Sequence, residues 1–223
     1  MNFEKHFDKY NNYSYVQKKV ANNLTNFIKE NIDSEGIESI LELGCGTGIF
    51  TREYTNKVFS KNNLILNDKF NVEEFIKDIN YKDFLQGDIE KINFPKNIDI
   101  ILSSSVFQWI EDLNSLFQKI SEVSNKLCFS TYISGNLIEI KKHFNISLEY
   151  KNIEDIEKIA QKYFKEVIFY KETIRLNFET PLDLLKHLKF TGVTGLQKPS
   201  ISNIRSFNDK ILTYEVAYFI CKN

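Results

Sequence analysis

Among its 223 residues the chain has only three cysteines, three prolines, eight glycines, three histidines and one tryptophan. Cys45, Cys128 and Cys221 are odd in number and lack CxxC spacing, which argues against a disulfide framework or a zinc ribbon and suits a reducing compartment. So few prolines and glycines exclude collagen-like and linker-like chains. No apolar stretch approaches the ~20 residues that span a bilayer. The longest, Ile98 to Ile110, is interrupted by three serines and Gln108. The opening MNFEKHFDKYNNYSY is too polar for a secretory segment. Excess charge is missing too: 29 basic and 30 acidic side chains nearly cancel. The balance argues against binding nucleic acid or a membrane surface through bulk charge and leaves only a local patch for it. The expectation is a cytoplasmic protein, monomeric, with no metal and no nucleic-acid or membrane partner.

What the chain does have is core material. Apolar residues make up 42%, and 19 Phe and 11 Tyr supply most of the aromatics. That is enough for one packed domain over residues 1–223. Strand and helix signals alternate, as in a parallel sheet covered by helices. After a polar leader, Ser14 to Glu30 repeats apolar groups at helical spacing. Strands are predicted over 37–43, 64–66, 83–86, 98–102 and 126–131, separated by helices over 49–59, 72–79 and 113–123. The second half is less regular, with helices predicted over 136–144, 153–163 and 181–189 and strands over 166–178 and 211–220. Gly192 is placed as the stop of the last helix.

The strongest chemical signal is Leu41-Glu42-Leu43-Gly44-Cys45-Gly46-Thr47-Gly48, between a predicted strand and a predicted helix. Alternate glycines let the backbone turn sharply and approach a ligand. A dinucleotide fingerprint needs its third glycine one residue later, and here Ile49 stands there; the lysine-bearing phosphate loop is absent. The G-x-G-x-G form suits a phosphate-free ligand, the amino-acid tail of S-adenosylmethionine. Glu42 is placed for its cationic groups. Asp68, roughly twenty residues on, can accept hydrogen bonds from two ribose hydroxyls. Asp88 can take the adenine amino group, with Ile89 packing on the ring. The competing reading is a tight turn with solvated acids. Cys45 is read as a small turn residue rather than a nucleophile.

The segments LELGCGTG, NDK, GDIE and IDIILSSSVFQWIED resemble class I S-adenosylmethionine-dependent methyltransferases. More closely, the chain resembles the malonyl-[acyl-carrier-protein] O-methyltransferases of biotin synthesis, through Tyr10-Asn-Asn-Tyr13-Ser-Tyr-Val16-Gln17, Phe107-Gln108-Trp109, Phe129-Ser130-Thr131-Tyr132, the stretch Leu184 to Gly192 and Leu212-Thr213-Tyr214. The resemblance implies an α/β, Rossmann-like fold with a mostly parallel seven-stranded sheet, helices on both faces and a helical lid over residues 1–31. Substrate-side insertions would fall at 133–150 and 179–210. It departs from the family in a short leader, in Asn11 where Asp is common, and in compression after Tyr132 and between Thr194 and Ile211. The implied cofactor is S-adenosylmethionine, leaving S-adenosylhomocysteine. Its expected contacts are Gln17, Glu42, Gly44, Cys45, Gly46, Gly48, Asp68, Asp88, Ile89 and Ser103.

A carboxylate acceptor fits this chemistry. With a reference pKa near ~4 it is ionised at neutral pH and needs no general base. None of the histidines, at 6, 143 and 187, falls in a motif loop, and His143 and His187 are read as helix-surface residues. Alignment and desolvation would then supply catalysis, with Tyr10 and Gln108 as the residues nearest a catalytic role. The acceptor would be held by Tyr10, Gln17, Gln108, Trp109, Lys189 and Tyr214. Tyr10 and Tyr13 read equally well as surface anchors, and Trp109 as plain core. The partner implied is a malonyl-loaded acyl-carrier protein, which is acidic, docking on Lys186, Lys189, Lys198 and Arg205. Six basic residues against three acidic ones from Pro181 to Asn223 agree with this, as does a merely solvated surface. Other open readings are a methyltransferase for another small molecule, of quinone or trans-aconitate type, and a cofactor-binding protein without catalysis.

Overall fold

The computed structural model describes residues 7–59, 63–192 and 201–223. Lys198 and Thr194 lie outside them. Seven strands form one sheet: β1 (Ser39–Leu43), β2 (Asn63–Asp68), β3 (Asp83–Gln86), β4 (Ile100–Ser104), β5 (Lys126–Tyr132), β6 (Glu166–Asn177) and β7 (Ile211–Lys222). Their spatial order is β3-β2-β1-β4-β5-β7-β6. The first five strands pair in parallel, whereas β7 runs antiparallel between β5 and β6. β4 and β5 are buried along nearly their whole length, which is why they read as unbroken apolar runs.

Alternation along the strands divides the core. Leu102, Cys128, Tyr132 and Tyr214 face one side with Val16, Val20, Leu24, Leu184 and Leu188. These belong to helices α2 (Tyr15–Asn31) and α8 (Pro181–Thr191). Leu43, Ile101, Phe129 and Phe219 face the other side with Leu116, Phe117, Ile156 and Ala160, from α5 (Leu113–Ser121) and α7 (Ile153–Ala160). Each fully buried Val, Leu, Ile or Phe among these contributes roughly 1.5–3 kcal/mol of transfer free energy. Capping fixes helix ends: Asp112 accepts from the Ser115 N–H at the start of α5, and Thr180 from the Asp183 N–H, with Pro181 in the first turn of α8. Gly192 closes α8 at φ 68°.

The structure corrects several boundaries. The leader holds a helix, α1 (Phe7–Tyr13), that periodicity left unassigned. β4 begins at Ile100, because the Ile98 N–H turns to the Val123 carbonyl and Asp99 Oδ2 accepts from the Glu38 and Ser39 N–H groups. The helix predicted over 72–79 is one turn, α4 (Glu73–Ile76), and Ile201–Ser206 forms an unforeseen α9. Helix α3 (Ile49–Lys57) follows the glycines, and α6 (Ile138–Phe144) lies in the stretch after β5. Among the described residues no helix is long and apolar enough to cross a membrane.

Candidate active site

Strand order reverses between β2 and β4 on either side of β1, the place where open α/β sheets leave a crevice at their carboxyl ends. The chain leaves β1 there through the glycine turn. Gly44 and Cys45 donate their N–H groups to one acceptor, the Asn67 carbonyl, at 2.9 and 2.8 Å. Asn67 in turn uses its side-chain Nδ2 to hold the Leu85 and Gly87 carbonyls at 2.7 and 3.0 Å. One buried residue of β2 thus links the ends of β1, β2 and β3. Gly44 has φ 75°, and a Cβ on it would collide with the Val106 side chain; Gly46 has φ 53° and open space where its Cβ would be. Both conformations call for glycine.

Three acids surround this turn. Glu42 is 1% exposed. Its Oε2 accepts from Thr51 Oγ1 at 2.8 Å and from the Tyr54 hydroxyl at 2.7 Å. Burial pushes its carboxyl up to about 7, against the pull of those two hydroxyls. Asp68 accepts from the Gly46 and Phe70 N–H groups, both at 2.9 Å, and so shapes the turn as well as facing the cavity. Burial raises its pKa and its backbone hydrogen bonds oppose the rise. Asp88 pairs with Lys69 at 2.8 Å, and that contact holds its carboxyl below the ordinary range.

These groups line a cavity of about 260 Å³. Tyr10 and Gln17 enter it from α1 and α2, Glu42 from the end of β1, Cys45 and Gly46 from the turn, and Asp68, Asp88 and Ile89 from the next two strand ends. Gly44 and Trp109 also reach it. Cys45 is buried, and desolvation raises its thiol pKa, which leaves it an unreactive wall residue. Gln17 is buried, and its Oε1 has no hydrogen-bond partner. An unpaired buried acceptor on a cavity wall marks a place for a ligand donor.

Other expected residues lie elsewhere. Ser103 is fully buried, its Oγ donating to the Leu43 carbonyl at 2.9 Å; Ser104 and Ser105 line the cavity instead. Gly48 starts α3 at φ 75° behind the wall. Gln108 spends its amide inside the protein, donating to the Ser105 carbonyl at 2.6 Å and accepting from Thr131 Oγ1 at 3.2 Å. It thereby braces Ser105, held at φ 60°. Lys189 is exposed, with its ammonium 5.7 Å from the Phe190 ring centroid. Tyr214 is fully buried, and its hydroxyl meets His187 Nε2 at 2.8 Å. His187 is therefore not a surface residue, and burial brings its pKa down to about 4. Sequence reasoning missed the tie between Thr47 Oγ1 and Asn11 Oδ1 at 2.8 Å, which fastens α1 to the glycine turn.

The chain matches the family profile described as a methyltransferase domain over residues 41–126. It is 36% identical, over 98% of its length and 94% of the relative, to a malonyl-[acyl-carrier-protein] O-methyltransferase of Calditerrivibrio nitroreducens. The chain belongs to this family. Its fold is shared with solved structures of low identity. These include the YcgJ protein of Bacillus subtilis, at TM-score 0.65 and 10% identity over 90% of this chain and 98% of that one. Another is the plantazolicin methyltransferase BpumL in complex with S-adenosylhomocysteine, at TM-score 0.57 and 16% identity over 96% of this chain and 88% of that one.

Glu42 gives this family member a pH signature. The folded state holds the Glu42 proton up to about 7, whereas an unperturbed carboxyl releases it near 4.5. Folded protein therefore binds more protons between those values, and stability falls as pH rises through that window. His187 acts with opposite sign between about 4 and 6.5, because its proton is bound more tightly in the unfolded chain. Comparison with Glu42→Gln isolates the first effect. The variant keeps an acceptor for Tyr54 and Thr51, and its Tm should exceed that of wild type by a margin that widens from pH 5 to pH 7.5. A constant margin in thermal melts would contradict the burial of an ionisable carboxyl here.

Proposed function

We propose that this protein methylates the free carboxylate of a malonyl thioester on acyl-carrier protein, using S-adenosylmethionine, and so makes the methyl ester for an early step of biotin synthesis. The reading is carried by one observation: a chain 36% identical to a relative named malonyl-[acyl-carrier protein] O-methyltransferase gathers Gly44, Gly46 and the acids Glu42, Asp68 and Asp88 around a cavity at the sheet's carboxyl end. The residues present fit the cofactor. Gly46 leaves room for its amino-acid tail, the unpaired Gln17 Oε1 can accept from the ammonium, and Glu42 would ionise opposite the cationic groups. Asp68 would take the ribose hydroxyls, and Asp88 with Ile89 the adenine. When bound, the cofactor supplies an electrophilic methyl on a sulfonium, so a carboxylate oxygen forms the C–O bond while the S–CH3 electron pair stays on sulfur and no proton moves.

The chain's own part is to orient the acceptor and exclude water. Helices α1 and α2 act as the lid: α1 brings Tyr10 and α2 brings Gln17 over the turn, with the Asn11–Thr47 bond as the latch. The three free cysteines are all buried, which suits work in the reducing cytoplasm.

The test is incubation with methyl-labelled cofactor and malonyl-carrier protein or malonyl-CoA. Label should appear in a base-labile, volatile methyl ester. Bound cofactor with no transfer to either carboxylate would overturn the reading. The carrier protein docks on α8 and α9, where Lys186, Lys189 and Arg205 are exposed. Charge reversal of Lys186 and Arg205 should raise the KM for malonyl-carrier protein several-fold, more steeply at low salt, and leave that for malonyl-CoA unchanged. Equal effects on both substrates in steady-state assays would remove the docking surface.

A further inference from the structure

Beyond Tyr10 and the Ser104–Ser105 wall, the molecule buries an unusual set of hydroxyls. Tyr132 ends β5 at the carboxyl edge of the sheet, on the face that α2 and α8 cover. It is 3% exposed, and its hydroxyl has no hydrogen-bond partner. Its ring lies 5.8 Å from that of Tyr214, whose own hydroxyl is already engaged by His187. Among the described residues, the one polar side chain that bears on this hydroxyl as a hydrogen-bonding neighbour is Ser105 of the cavity wall, which makes no bond of ordinary length to it, and Tyr150 is its charge neighbour. Tyr10, also on the cavity wall, has Tyr132 and Asp68 as its electrostatic neighbours. A buried donor left without an acceptor carries a free-energy penalty that a protein retains where a ligand removes it.

We propose that the Tyr132 hydroxyl is the donor that grips the acceptor's free carboxylate, with Tyr10 beside it, and that it selects malonyl from uncharged acyl groups. The proposal rests on the carboxyl-methylation reading and names the group that recognises its substrate. The choice of a neutral donor has a physical reason. Carboxylate and sulfonium lose their charges together as the ester forms, so a cationic grip would stabilise the ground state more than the transition state. A hydroxyl orients the oxygen without that drag. Burial pushes the Tyr132 pKa upward, so it stays a donor at every working pH. An acetyl group would leave this donor unpaired, and the site would reject it.

The test uses the full chain with S-adenosylhomocysteine bound, so that no transfer occurs, and titrates in malonyl- and acetyl-carrier protein by calorimetry. Wild type should prefer the malonyl form. Tyr132→Phe should weaken malonyl binding about 10- to 100-fold, the value of one hydrogen bond to a charged group. Acetyl affinity, S-adenosylhomocysteine affinity and Tm should stay put. A folded Tyr132→Phe that keeps the malonyl preference overturns the proposal and leaves the methylation reading intact. A wild type that shows no preference and transfers no methyl overturns both. If the phenylalanine variant does not fold, Tyr132→3-fluorotyrosine reports instead: its fluorine resonance should move with malonyl- and not acetyl-carrier protein, and a resonance indifferent to both overturns the proposal.

Discussion

Asp68→Ala should abolish measurable cofactor binding while the sheet stays folded. The carboxylate has two jobs that one substitution removes together. It accepts from the Gly46 N–H and so sets the curve of the turn, and it is the acceptor at the end of β2 proposed for two ribose hydroxyls. Hydrogen bonds to a charged group contribute about 1.5–3 kcal/mol each, so losing two of them should raise the Kd for S-adenosylhomocysteine at least about 100-fold. Lys189→Ala, remote from the cavity wall, should leave that Kd unchanged and alter acceptor use alone. Calorimetric titration decides both. An Asp68→Ala protein that binds within threefold of wild type would remove the carboxylate from the site.

The second large effect is a contrast between two glycines of one turn. In Gly44→Ala the new methyl meets Val106 from a left-handed backbone. Left-handed strain costs about 1–2 kcal/mol and overpacking about 1–3 kcal/mol more, so Tm should fall by many degrees. In Gly46→Ala the backbone strain is similar, but the methyl meets no protein atom. It points into space that the ligand needs. Stability should drop only by about the strain, whereas cofactor affinity should be lost. Thermal melts and titrations on both proteins should give opposite rankings; a common ranking would mean that Gly46 does not face the ligand.

The sequence was legible where local chemistry and tertiary role coincide. The run ending at Leu43, the glycines, and the acids at the ends of β2 and β3 combine strand propensity with turn chemistry, and Gly44, Gly46, Asp68 and Asp88 meet at the cavity. It was opaque where a neighbour decides. Nothing in Asp8, Asn11 or Asn12 announces a helix; α1 is held by the Asn11–Thr47 bond and by Tyr13 against Phe190, with ring centroids 4.7 Å apart. Among three consecutive serines, the end of β4 at Ser104 decides that Ser103 points into the core. Gln108 was expected to meet the acceptor, yet the Ser105 carbonyl and Thr131 consume its amide. His187 had a readable clue, since Leu184, His187, Leu188 and Thr191 are the buried stripe of α8 at helical spacing.

Asn67 has a consequence for how the site opens. Because its main-chain oxygen and its amide tether three neighbouring strand ends at once, those ends cannot spread apart to admit a guest without breaking four hydrogen bonds together. The floor behaves as a welded plate. On the lid reading proposed above, entry and exit would fall to the roof, where the Asn11–Thr47 bond and the packing of Tyr13 on Phe190 fasten α1, so that traffic would be paced by the leading helix rather than by the sheet.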